Sequence, residues 1–422
     1  MDINELLKGI NCKCGKRHEC SINKVYIEKN AIARLVDICT QYENILIVAD
    51  QNTYKAAGEK VEKTLNGKKL SKVIFDGDNV LVPNEEAILT VEKFLQGVEL
   101  IIAVGSGVIQ DLCKYVSHFN KIPYLDVATA PSMDGYASDG AAMILNGMKE
   151  TVKAGLPISI IADVDVLCNA PMDMIKAGYG DVIGKYSALN DWKISNIITG
   201  EYLCPFIYDL TMEQIQKVVS LADGLLKRNE ESIQSLMQAL VVIGILISFA
   251  GSSRPASGSE HHLSHFFEIT GIVNNRPYLS HGLDVAFSTV VTASVRENLL
   301  NTSFNKDIYS QSEKQIEEEI TRVYSSVANG CLNLQKKMGY YKNSRAEIYV
   351  SKEEEIKNVL REMPSANQIK DLLKKVELEY QDFTNFYGEK NILNAVKYAK
   401  DLKDRFTVLW LNYDLLKGEL YV

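Results

Sequence analysis

Histidine is scarce in this chain. Six stand among 422 residues, His18, His118, His261, His262, His265 and His281, and four of them fall between positions 261 and 281. A surplus of positive charge is also missing: 46 Lys and Arg face 54 Asp and Glu, for a net charge of -8. A protein that coats a phosphate backbone carries the opposite balance, so nucleic acid is not expected as a partner. A local basic pocket for a small anion stays compatible with the balance. Cysteine is too sparse for a disulfide scaffold, with eight in this length. Cys39, Cys113, Cys168, Cys204 and Cys331 are scattered through apolar or mixed segments. No apolar run reaches the roughly 20 residues that span a bilayer. The longest, residues 236–250, is interrupted by Gln238 and Ser248 and reads as a buried core helix. The start, MDINELLKGI, has no basic region ahead of a long apolar stretch, so no signal peptide is expected. These absences together lead to the expectation of a reduced, cytoplasmic protein without membrane insertion. Hydrophobic residues at 46% and charged residues at 24% give an ordinary globular composition, which excludes collagen-like and disordered classes.

Two regimes of patterning divide the chain. Short continuous apolar runs at 44–49, 72–75, 99–104, 123–128 and 158–162 alternate with helical patterns at 55–65, 85–95 and 108–119. Runs of this kind predict a parallel sheet covered by helices on both faces, with ligands at the carboxyl ends of its strands. From about residue 169 helical periodicity dominates, at 211–226, 231–249, 307–328, 369–376 and 391–415. The expected fold is therefore an α/β amino-terminal domain (1–168) with a mainly parallel Rossmann-like sheet, followed by an all-α carboxy-terminal domain (169–422). The active site is expected in the cleft between them.

Several constellations suit chemistry. Gly105-Ser106-Gly107 ends an apolar strand and opens a helix, where free N–H groups and close backbone approach favour phosphate. The continuation GSGVIQD lacks the third glycine of the dinucleotide fingerprint, so a tight turn without ligand is the competing reading. The loop ATAPSMDG, residues 128–135, follows the next strand and is hydroxyl-rich with one acid, Asp134. In SEHHLSH, His261 and His265 lie at i and i+4 on one helix face, while His262 points about 100° away. His281 opens a further helix. Two imidazoles from neighbouring helices plus a carboxylate make an open catalytic metal site. Asp181, in GYGD, is the attractive carboxylate; it reads equally as a helix N-cap, and Asp173, Asp191 and Glu260 compete with it. Near the start, CKCGKRHEC brings together Cys12, Cys14, His18 and Cys20. It reads either as a small zinc site or as an exposed reduced turn, and its irregular spacing favours the turn.

The ordered set GSGVIQD, ATAPSMDGYAS, GYGD, SGSEHHLSH and SHG resembles the glycerol-1-phosphate dehydrogenases, within the wider group of iron-dependent alcohol dehydrogenases, glycerol dehydrogenase and 3-dehydroquinate synthase. The resemblance covers roughly residues 25–290, and CKCGKRH resembles the bacterial branch. It implies metal-dependent reduction of dihydroxyacetone phosphate to sn-glycerol 1-phosphate. NAD(H) or NADP(H) would lie near Gly105, Ser106, Gly107 and Asp111, with Thr129 and Ser132 close by and Asp50 toward the adenosine part. Asp181, His261 and His281 would hold a divalent zinc, nickel or iron ion. His265 would face the site as the proton-handling residue, and Asp134 would contact substrate. Lys153 and Arg254, with Ser253 and the His262 ring, are the candidates for the substrate phosphate. A homodimer is implied by resemblance alone.

Three other readings compete. One is a glycerol or polyol dehydrogenase without phosphate specificity. Another is a sugar-phosphate cyclase like 3-dehydroquinate synthase, which the aspartate of GYGD and the Phe266-Phe267 pair oppose. The last is a non-enzymatic nucleotide sensor, which the intact acid and histidine set opposes.

Overall fold

Strands whose residues are apolar without interruption must be covered on both faces, and the first half of the chain obeys this. The computed structural model describes residues 2–78, 81–145 and 148–421. A short hairpin, β1 (Ile10–Asn11) with β2 (Arg17–His18), precedes the main sheet. The sheet contains β3 (Lys24–Glu28), β4 (Asn44–Asp50), β5 (Lys69–Phe75), β6 (Leu100–Gly105) and β7 (Tyr124–Ala128). A second hairpin, β8 (Gly140–Leu145) with β9 (Met148–Lys153), comes before the last sheet strand, β10 (Ser159–Asp163). The six-stranded order is β3-β10-β7-β6-β4-β5, parallel at every pairing.

The period of two sorts the side chains. Ile45, Ile47, Leu100, Ile102 and Val104 join Ala31, Leu35, Ala57 and Val61 on one face. Leu46, Val48, Ile101 and Ala103 join Ile88, Val91, Leu112 and Val116 on the other. Helix α1 (Gly107–Asn120) follows β6 after the single residue Ser106. The carboxyl ends of β4, β6 and β7 therefore present Asp50, Gly105 and the loop after Ala128.

The chain divides into two compact units: Met1–Tyr179 with Gln216–Ser252, and Gly180–Ile215 with Ser253–Val422. The division falls inside α2 (Met172–Thr199). The first unit includes α3 (Glu230–Ala250), the apolar helix of the sequence. By length and composition α3 could cross a membrane, but 78% of its most apolar window is buried. Gln234 on α3 donates to the Ile27 carbonyl at 2.7 Å, and a side chain at Gly244 would meet the Asp134 carbonyl at 2.7 Å. That glycine lets the helix pass close under the 134–137 loop.

The second unit is helical. Among the described residues every strand lies before residue 164. Helices α4 (Ser259–Val273) and α5 (His281–Leu300) carry the clustered histidines. Three expected helices differ in extent: the one expected at 211–226 spans Pro205–Ser220 instead. The pattern over 307–328 becomes a helix only from Glu313, where Ser312 and Gln315 form a capping box. The run expected at 391–415 breaks into Glu389–Tyr398, a 3-10 turn and Val408–Leu416. The break has a physical cause: the buried Asp191 carboxylate accepts the Val408 N–H at 2.8 Å, starting a new helix there.

Candidate active site

Three ligand-type side chains converge in the second unit. One donor atom each from Asp181, His261 and His281 lies within 4.8 Å of the others. The His261 and His281 rings are 5.0 Å apart, and His265 stands 6.4 Å from the first and 6.1 Å from the second. His261 Nε2 is 3.7 Å from Asp181 Oδ1. Asp181 is fully buried, His261 nearly so, and His265 and His281 are partly exposed. One hard oxygen and two imidazole nitrogens, closed on one side and open on the other, form a donor set that fits a divalent catalytic metal.

Neighbouring residues fix these donors. The Glu260 carboxylate accepts from His261 Nδ1 at 2.7 Å, which turns Nε2 to the side of Asp181. Glu260 also accepts the Gly258 N–H at 2.7 Å. Burial raises the Glu260 carboxyl above its ordinary range. Asp191 accepts the Ser259 N–H at 2.6 Å and pairs with Arg296 at 2.9 Å. It thereby caps α4 from outside, where Gly258 has no side chain to do so. Tyr387 accepts the Leu279 N–H at 3.0 Å and donates to Asp284 at 2.8 Å, bracketing the start of α5 and His281. Of the competitors for the ligand role, Glu260 bonds His261, Asp191 bonds the Ser259 N–H and Arg296, and Asp173 is exposed.

Asp181 is not an N-cap. It lies in the interior of α2, nine residues after its start. The flanking glycines serve close packing and not a turn. A side chain at Gly180 would come within 2.5 Å of Ala286 Cβ and 2.7 Å of the Gly282 carbonyl, both on α5. Lys185, one turn along and fully buried, donates to Asp181 Oδ1 at 2.5 Å. Sequence reasoning missed Lys185 and the orienting role of Glu260. The i,i+4 spacing from Asp181 was a usable signal for Lys185, once the segment is known to be helical.

In the first unit the phosphate-type turn is built as its sequence suggests. Ser106 has extended backbone and makes no side-chain cap, leaving the first N–H groups of a 14-residue helix without an intrahelical acceptor. A side chain at Gly107 would meet only Met133, at an ordinary 3.6 Å. Thr129 donates its N–H to the Gly105 carbonyl at 3.1 Å, tying the two loops together. Lys114 donates to the Gly135 and Gly140 carbonyls and to Asp111. Thr129 and Ser132 are buried, and Asp134 is partly exposed. This cradle fits the pyrophosphate of a dinucleotide. Asp50 caps the next helical turn, accepting the Thr53 N–H at 2.8 Å.

The phosphate candidates are placed unevenly. Lys153 is 87% exposed and 3.7 Å from Asp139. Arg254 is buried and bonded to Glu201, Ser195 and the Phe406 carbonyl, with only Nη1 lacking a partner. Ser253 accepts from Arg405 at 3.0 Å. His262 is fully buried with neither ring nitrogen hydrogen-bonded, and burial holds its pKa far below the ordinary value.

The iron-containing alcohol dehydrogenase family model matches residues 26–171. The chain is 30% identical over 424 aligned residues to the glycerol-1-phosphate dehydrogenase (NAD(P)+) of Bacillus licheniformis, covering 97% of this chain and 94% of that one. It is 32% identical to the enzyme of the same name from Geobacillus stearothermophilus, covering 96% of each. Its fold is similar to that of an iron-containing alcohol dehydrogenase from Corynebacterium glutamicum, with a TM-score of 0.60 at 16% identity, covering 93% of this chain and 91% of that one. An iron-containing alcohol dehydrogenase from Thermococcus thioreducens gives 0.55 at 18% identity, covering 85% and 99%. Near-complete coverage at this identity, on top of the sheet, the glycine turn and the acid and histidine cluster, shows that the chain belongs to the glycerol-1-phosphate dehydrogenase family.

Proposed function

We propose that this protein catalyses the reversible NAD(P)H-linked reduction of dihydroxyacetone phosphate to sn-glycerol 1-phosphate, using one divalent metal ion. The observation that carries the site assignment is the convergence of Asp181, His261 and His281 beside His265. Asp181, His261 and His281 would hold the ion. When bound, the metal supplies Lewis acidity toward the C2 oxygen and the nicotinamide supplies the hydride. The remaining work belongs to the chain. Gly105, Ser106 and Gly107 bind the pyrophosphate with backbone N–H groups; Asp111, Thr129 and Ser132 line the same cradle, and Asp50 meets the adenosine part. Asp134 orients the substrate hydroxyl. Partly exposed His265 holds the proton that the C2 oxygen takes up on reduction and receives it in reverse. Arg254 Nη1 and Lys153 supply donors to the substrate phosphate. The enzyme works in the cytoplasm as a homodimer.

The purified protein, with metal restored and NADH or NADPH present, is offered dihydroxyacetone phosphate, dihydroxyacetone and a seven-carbon keto-acid phosphate in turn. Oxidation of cofactor is expected with dihydroxyacetone phosphate. Oxidation with the unphosphorylated ketone alone would overturn the substrate assignment. Phosphate release from the seven-carbon compound without net cofactor change would identify a cyclase instead.

A further inference from the structure

The amino-terminal hairpin gathers a second set of metal ligands, of soft donors. Pairing of Ile10 with His18 turns the chain back, the Cys12 N–H donates to the Lys16 carbonyl at 3.0 Å, and the Gly15 N–H donates to the Cys12 carbonyl at 3.0 Å. Gly15 takes φ +87°, a left-handed value that closes the turn at little cost only without a side chain. The result places the sulfurs of Cys12 and Cys14 and a ring nitrogen of His18 within 4.8 Å of one another. Cys14 Sγ and His18 Nε2 are 3.4 Å apart. Two ligands on a tetrahedral zinc ion, with Zn–S and Zn–N bonds of ordinary length, stand about 3.6 Å apart.

A second observation fixes which nitrogen faces the sulfurs. His18 is 1% exposed, stacks on the Phe249 ring, and has Nδ1 2.9 Å from the Phe249 carbonyl. A carbonyl only accepts, so Nδ1 carries the proton and Nε2 offers its lone pair to the side of the thiols. Metal-bound histidines are oriented in this way, by a carbonyl on the other nitrogen. None of the eight cysteines is in a disulfide.

We propose that Cys12, Cys14 and His18 bind a structural zinc ion, with a further donor completing the tetrahedron. Binding releases the two thiol protons to solvent and involves no redox change. The ion ties the hairpin to the end of α3, where Phe249 sits. Thiolate ligation sets it apart from the Asp181, His261 and His281 centre, which contains no sulfur.

The test uses the full chain loaded with cobalt(II). A thiolate-to-cobalt charge-transfer band in the near ultraviolet is expected in the unaltered protein. It should persist in His281→Ala and disappear in Cys14→Ser. Zinc content should fall by about one equivalent in Cys14→Ser, while turnover of dihydroxyacetone phosphate stays within about twofold. Absence of the band from the unaltered cobalt protein overturns the proposal, whether or not Cys14→Ser folds. Equal zinc content in Cys14→Ser and the unaltered protein overturns it as well. Failure of the catalytic reading would instead remove activity and leave the band.

Discussion

At the scale of single residues, the site depends on partners that neutralise or orient buried groups. His281→Ala should abolish stoichiometric metal at the catalytic centre. Glu260→Gln should leave the ion bound but weaken its affinity about 10- to 100-fold, because the amide no longer fixes the His261 tautomer as a carboxylate does. Metal titration followed by activity checks both, and unchanged affinity in both variants would mean the ligand set is wrong. Asp126 offers a pH test. It is buried in β7, neither carboxyl oxygen has a hydrogen-bond partner, and burial raises its pKa well above the ordinary range. The unfolded chain loses this proton near pH 3.9, whereas the folded chain keeps it to higher pH. Stability therefore falls on this residue's account as pH rises between the two values. Asp126→Asn removes that dependence, so its melting temperature should gain on the unaltered protein as pH rises above the unfolded chain's value. A difference that stays flat with pH would show that Asp126 ionises freely. The histidine cluster could be picked out from the sequence because histidine is rare here and His261 and His265 recur at helical spacing, while the choice of His261 and His281 as the ligand pair comes from the resemblance. Glu260 could not, since its role depends on its carboxylate reaching the adjacent imidazole.

At the scale of elements, close packing of α2 on α5 decides where the ligands meet. Gly180→Ala would gain about 1 kcal/mol of helix propensity in isolation. Against Ala286 and the Gly282 carbonyl it should instead lose about 1–3 kcal/mol by overpacking, and push the start of α5 with His281 away from Asp181. A lower melting temperature together with weaker metal binding is expected. A rise in melting temperature would show that the helices separate without cost. Four of the six sheet strands could be read within a residue or two, because runs such as NILIVA have no other stable place than a doubly covered sheet, whereas β5 begins three residues before the expected run and the edge strand β3 is not among the expected runs. The 28-residue α2 could not, because GYG resembles a turn until the neighbouring helix is known. The break before Val408 was equally hidden, since its cap is Asp191, more than 200 residues earlier.

At the scale of the molecule, a chain of net charge -8 that acts on phosphorylated ligands must supply its positive potential locally, from helix ends and a few placed cations. The carboxy-terminal helices also acquire a purpose in the second unit. Tyr387 holds the entry to α5, and the Phe406 carbonyl holds Arg254. For the proposed homodimer, light scattering during gel filtration should give twice the 47.2 kDa chain mass, and a single-chain mass would refute it. Sequence alone determined the sheet, the helical second half and the family, because apolar periodicity and an ordered set of motifs are local properties of the chain. Only the tertiary structure decided that Gly180 packs α2 against α5, that Glu260 bonds His261 Nδ1 and Asp191 the Ser259 N–H, and that Cys12 and Cys14 face His18. Each of these depends on the distance between segments that the linear order does not bring together, or on the direction in which a folded backbone points a side chain.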